Sequence, residues 1–138
     1  LFNIVVLKRQ HEDIDKIVNN ILDTIKKNKV EEKSKDISKD ISILAGKLKI
    51  HLKEEDRWLY PNIAESDNPK LREFHKTYKN EMENIFDLFM SYKAKYNTKS
   101  KILSNVDKFI EESKKVLTIL MKRLEKENTE LYPILENS

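Results

Sequence analysis

Apolar residues recur at alternating steps of three and four along almost the whole of this 138-residue chain, the spacing that gives an α-helix one buried face. In the first segment the series is Ile4, Leu7, Ile14, Val18, Ile21 and Ile25, with His11 at the one step otherwise missing, which predicts a helix ending near Asn28. After a polar stretch from Lys29 to Lys35, Ser34 or Asp36 is placed to cap a second helix. Its stripe runs Ile37, Ile41, Leu44, Leu48, His51, Glu55 and Leu59, and it stops between Pro61 and Asp67. Pro69 suits the first turn of a third helix carrying Leu71, His75, Tyr78, Met82, Ile85, Phe89 and Tyr92. Lys93 to Lys101 reads as a loop. A fourth helix then carries Leu103, Val106, Ile110, Ser113, Leu117, Leu120, Leu124, Glu127, Leu131 and Ile134.

Four long amphipathic helices with short connections predict an all-α, up-down-up-down antiparallel four-helix bundle. A single glycine and three prolines leave little material for the tight turns of a sheet. The length suits one domain spanning 1–138, and a first residue that is Leu rather than Met suggests a domain excised from a longer protein, so a fused or partner signalling domain is a candidate partner. Internal repetition adds a further constraint. The stretch His51-Leu-Lys-Glu-Glu55-Asp-Arg-Trp-Leu-Tyr60-Pro61 aligns without a gap on Arg123-Leu-Glu-Lys-Glu127-Asn-Thr-Glu-Leu-Tyr132-Pro133. His11 and His75 hold matching places in the two halves, so the bundle is expected to consist of two pseudo-repeated helix pairs.

The composition narrows the function. No cysteine is present, which removes thiolate chemistry and disulfide dependence and points to a cytoplasmic location. The longest apolar runs, such as Ile4 to Leu7 and Val116 to Met121, fall far below the roughly 20 residues of a membrane span, so no membrane partner is expected. Charge is nearly balanced, 27 basic against 24 acidic side chains mixed along the chain, and no nucleic-acid partner is expected. No Ser-His-Asp or Cys-His arrangement is visible, and one glycine cannot build a phosphate-cradling loop.

What stands out is the set of ionisable residues inside the apolar stripes. Moving a carboxylate into an apolar interior costs several kcal/mol unless it is paired or binds a metal. Glu55 and Glu127 therefore require a cation. His51 and Glu55, four residues apart, share one helical face and can share that ion. Neutral imidazole with carboxylate and no sulfur suits iron, zinc or manganese, and the bundle setting favours iron. Tyr60, Tyr132, Trp58 and Phe89 read as packing residues. Glu12 and Asp15 read as a hydrated face, either of them able to orient an imidazole from behind.

In order and spacing, Arg9-Gln10-His11-Glu12, His51 to Glu55 with Leu59-Tyr60-Pro61, Glu73-Phe74-His75, and Glu127 with Leu131-Tyr132-Pro133 resemble the hemerythrin, or HHE cation-binding, family over almost the entire chain. All three histidines fall on ligand positions of that family. The resemblance implies a non-haem di-iron centre in which His11 and His51 bind one iron, Glu55 and Glu127 bridge, and His75 binds the second. It also implies binding or sensing of O2, NO or redox state, with peroxide as a further small ligand. The second half departs from the pattern: Arg123 stands where the family has the histidine of its last His-x-x-x-Glu, and Lys79 where oxygen carriers place another histidine.

Three arrangements follow from that departure. One ion is held by His11, His51, Glu55 and Glu127 while Arg123 or Lys79 supplies positive charge; or Tyr78 completes a second site; or the carboxylates pair with Arg123 in a metal-poor relic. The expectation is one or two ions per chain, with a weakened or mononuclear centre favoured, in a binding domain rather than an enzyme. The alternatives are a protective iron enzyme that reduces peroxide or NO or supplies iron for cluster repair, and a metal-poor helical interaction module.

Overall fold

The computed structural model describes residues 4–137. Four helical rods pack as an antiparallel bundle. The first is α1, Ile4–Lys26, and the second is α2, Val30–Glu54, continued by a π turn, Glu55–Leu59, and by α3, Tyr60–Ala64. The third is α4, Pro69–Tyr96. A short α5, Lys99–Leu103, leads into the fourth rod: α6, Val106–Lys126, a second π turn, Glu127–Leu131, and α7, Tyr132–Glu136. α1 packs on α2 and α6, and α4 packs on the same two from the other side, which closes the ring of four. Among the described residues no helix is long and apolar enough to cross a membrane.

The stripes of the first two rods are buried as the periodicity requires: Leu7, His11, Ile14, Val18, Ile21 and Ile25 on α1, and Ile37, Ile41, Leu44, Leu48 and His51 on α2. The boundaries depart from the sequence reading in three places. The second helix starts at Val30, ahead of Ser34 and Asp36, because Asn28 adopts φ 56° and reverses the chain within a few residues. Asn is among the few residues that tolerate this left-handed conformation. The third helix runs on to Tyr96, since Tyr92 and Tyr96 still have a core to enter, and α5 occupies the expected loop. The fourth helix starts at Val106, capped by the Asn105 side chain on the Lys108 amide, so Leu103 lies outside it and is exposed while Ile102 is buried.

On α4 the inward slot falls to Phe74, and His75 beside it is only half-buried. Trp58 is also not a packing residue: it is 39% exposed, with the Arg57 guanidinium over its ring.

Each π turn begins at a carboxylate of the sequence repeat and ends just before Tyr-Pro. The Tyr60 amide bonds back to the Glu55 carbonyl and the Tyr132 amide to the Glu127 carbonyl, five residues earlier in each case. A proline inside an α-helix lacks one amide donor and crowds the carbonyl four residues before it. Widening the turn accommodates Pro61 and Pro133 without breaking either rod.

The buried apolar side chains form two clusters. The larger contains Ile14, Leu48, Met82 and Leu124; the smaller contains Leu7, Leu59, Phe74 and Leu131. His11, His51, Glu55 and Glu127 lie between them in sequence on their own rods and are all buried. The bundle therefore has two oily compartments with a polar layer across the middle.

Phe109, absent from the sequence-derived stripe, is fully buried and stacks near Tyr92 and edge-on to Tyr96. Phe109→Ala is expected to cost about 3 to 5 kcal/mol, read as a fall in the midpoint of chemical denaturation at unchanged slope.

Candidate metal centre

The polar layer draws on three of the four rods. α1 supplies His11, α2 supplies His51, and the two π turns supply Glu55 and Glu127 as their first residues. The His11 Nε2 lies 3.0 Å from the His51 Nε2 and 3.0 Å from the Glu127 Oε1. The His51 Nε2 lies 3.4 Å from the Glu55 Oε1 and 3.8 Å from the Glu127 Oε1. His51, Glu55 and Glu127 are wholly inaccessible to solvent, and His11 is 3% exposed. Among the described residues, His11, His51 and Glu127 each offer one donor atom, and the three atoms lie within 4.8 Å of one another.

The far sides of the two rings explain why their near sides need a cation. The His11 Nδ1 is 2.8 Å from the Asn128 Oδ1, and the His51 Nδ1 is 2.7 Å from the Gln10 Oε1. An amide oxygen only accepts, so each Nδ1 carries the proton and each Nε2 presents a lone pair. Two lone pairs thus face each other at 3.0 Å beside carboxylates. All four oxygens of Glu55 and Glu127 are buried with no hydrogen bond to satisfy them. Such groups cost free energy unless a positive charge sits among them.

The electrostatics of the layer agree. Burial lowers the basicity of His51 and so favours the neutral ring that a metal takes. Burial, and after it the charge of Glu127, holds the Glu55 carboxyl well above the usual carboxylate range. A buried carboxyl held out of its charged form by burial and by a second carboxylate beside it marks a layer in which negative charge is poorly compensated.

A divalent ion fits this donor set. Bonds of about 2.0 to 2.2 Å to nitrogen and oxygen place neighbouring donors about 3.0 to 3.4 Å apart, depending on coordination geometry. Most of the observed separations fall there. Two imidazoles with carboxylate oxygens form a site for iron, zinc or manganese, and the donors do not choose among them.

The residues expected for a second half-site are arranged differently. His75 is half-buried, its ring edge-on to Tyr60 at 6.2 Å between centroids. Arg123 forms an ion pair with Glu81, and its guanidinium lies over the Tyr78 ring, 4.6 Å from the centroid. The Lys126 ammonium lies 4.9 Å from the same centroid. The Tyr78 hydroxyl is buried without a partner, and burial raises its pKa to about 12. Lys79 is half-buried on α4. This half thus carries two cations against the Tyr78 ring.

Sequence reasoning missed Gln10 and Asn128, which orient the imidazoles in the place considered for Glu12 and Asp15; Glu12 is exposed and Asp15 half-buried. The signal was available: Gln10 adjoins His11, and Asn128 adjoins Glu127. Tyr132 packs in the core as expected, and its hydroxyl, for which spacing gave no role, lies 3.1 Å from the His11 Nε2.

A family model described as the hemerythrin HHE cation binding domain matches residues 3–135. No curated protein and no solved structure matches the chain.

Two outcomes follow from the geometry. Asn128→Ala, which frees the His11 ring to turn, is expected to lower metal affinity about 10- to 100-fold in chelator competition, with helicity by circular dichroism unchanged. Glu127→Met is expected to abolish metal uptake, yet leave the metal-free fold as stable as before or more stable by about 1 to 4 kcal/mol in urea denaturation.

Proposed function

The chain belongs to the hemerythrin HHE cation-binding family, and on that premise we propose that it holds one non-haem iron through His11, His51, Glu55 and Glu127 and binds or senses a small ligand there. The observation that carries this reading is the pair of facing Nε2 lone pairs beside two unpartnered carboxylates in a solvent-free layer. When bound, the ion supplies a Lewis-acidic, redox-active centre for O2, NO or peroxide.

The chain's own residues do the rest. Gln10 and Asn128 fix both tautomers so that the rings present their lone pairs inward. Glu55 and Glu127 bring the negative charge that neutralises the ion. The two apolar clusters on either side of the layer exclude bulk water and so strengthen every electrostatic contact inside it. His11 and Asn128 also border a cleft of about 280 Å3 between α1 and α6, which gives a diatomic molecule a short approach to the layer.

A mononuclear centre is favoured over a pair because Arg123 brings a fixed positive charge to the half where a second iron would need ligands. His75 and Tyr78 are the side chains on hand for a second ion. We read the site as binding rather than catalytic and the domain as a sensing module, with the cytoplasm as its setting.

Elemental analysis together with the ultraviolet-visible spectrum of the full chain, purified aerobically after iron-replete expression, tests the proposal. One iron per chain and a chelator-sensitive melting temperature are expected; the stabilisation should be about 2.7 kcal/mol when free metal is a hundredfold above its dissociation constant. Two irons per chain would refute the mononuclear reading. No bound metal, with a melting temperature indifferent to chelators, would leave the helical interaction module instead.

A further inference from the structure

We propose that Tyr132 belongs to the donor set of the centre, its phenolic oxygen occupying one corner of the coordination shell. This rests on the metal-binding reading above and extends it to a side chain that the donor pattern of His and Glu residues does not include.

Backbone geometry comes first. In an α-helix a residue five positions on lies about 140° round the axis, which would turn Tyr132 away from the face of Glu127. The π turn between them, closed by the bond from the Tyr132 amide to the Glu127 carbonyl, brings residue 132 back toward that face. The ring is fully buried and packs on His11, 5.2 Å between centroids and 30° between planes.

The hydroxyl then points at the lone pair that a metal would use. Because the His11 Nδ1 proton goes to Asn128, the Tyr132 O–H donates to the His11 Nε2 over 3.1 Å. That separation is close to the others around the same nitrogen, 3.0 Å to the His51 Nε2 and 3.0 Å to the Glu127 Oε1. All three neighbours of the His11 Nε2 thus stand at the distance that separates donors on one ion.

Pseudo-symmetry supplies an internal comparison. Tyr60 is the counterpart of Tyr132 and His75 that of His11, so each tyrosine meets the histidine of the other half. In the second pair, however, the rings are edge-on at 6.2 Å and the Tyr60 hydroxyl has no partner. The same backbone device therefore delivers a hydroxyl to the histidine in only one half, the half with the complete imidazole pair.

The chemistry is that of a hard anionic oxygen. On coordination the O–H bond breaks as the metal–oxygen bond forms, the proton leaves to solvent with those that metal uptake releases, and no electrons change hands. Three anionic oxygens, from Glu55, Glu127 and Tyr132, with two neutral imidazoles balance the charge of ferric iron.

The test loads the full chain with ferric iron and records metal content, visible absorption and resonance Raman spectra. A phenolate-to-iron charge-transfer band is expected, with enhanced tyrosine ring vibrations that shift when the chain carries ring-deuterated tyrosine. Tyr132→Phe should still bind iron, at least tenfold more weakly, and lose the band; Tyr60→Phe and Tyr78→Phe should keep it. The Raman signature needs no variant, so misfolding of Tyr132→Phe would not spare the proposal. A stoichiometric iron complex without tyrosine vibrations, or a band lost in Tyr78→Phe and retained in Tyr132→Phe, would overturn it while the metal reading stands. Failure of the wild-type chain to take up iron would remove both.

Discussion

Four polar side chains that the bundle buries between two apolar clusters govern the rest of this structure. Elsewhere along the rods buried polar groups can meet one another, as the Tyr92 hydroxyl and Ser113 do at 2.7 Å. The layer of His11, His51, Glu55 and Glu127 is not closed in that way. Its outer contacts, to Asn128 and Gln10, commit the only imidazole protons and leave an inward surface made of lone pairs and carboxylate oxygens. A chain selected only for stability would replace such a layer with Leu and Met, since apolar side chains fill the same space without the desolvation cost.

The backbone serves that layer. Both π turns start at a buried glutamate and end at Tyr-Pro, so proline, the usual helix breaker, is accommodated here by a widened turn without ending the rod. The widening re-aims the residues that follow, which is how Tyr132 comes to face His11. Orientation also crosses between rods: Gln10 of α1 holds the ring of α2, and Asn128 of the second π turn holds the ring of α1. A shift of α1, which carries both His11 and Gln10, would therefore disturb two imidazoles together.

The two halves have diverged along a single theme. The first helix pair brings His11, His51 and Glu55 to the layer; the second brings Glu127, and there Arg123 stands where the repeat has His51, held by Glu81 and by the face of Tyr78. An arginine carries a permanent charge and five donors in a fixed plane. It can offset negative charge in the place of a cation, but it offers no open coordination position. That asymmetry is the ground on which a single ion is proposed.

Much of this was legible in the sequence, because helix faces follow from spacing alone. The stripe of α1 and that of α2 were buried residue for residue from Leu7 to Ile25 and from Ile37 to Leu59, and the break at His11 was visible as a missing apolar step. The repeat of His51 to Pro61 in Arg123 to Pro133 likewise announced two helix pairs and the arginine that stands opposite His51. What spacing could not give was anything that depends on local departures from 3.6 residues per turn or on contacts between rods. The tight reversal at Asn28, the exchange of His75 for Phe74 at the core of α4, the roles of Gln10 and Asn128, the partner of Arg123 and the placement of Tyr132 were all decided by packing. A periodic pattern fixes which way a side chain faces on its own helix; only the assembled bundle fixes which atom waits on the other side.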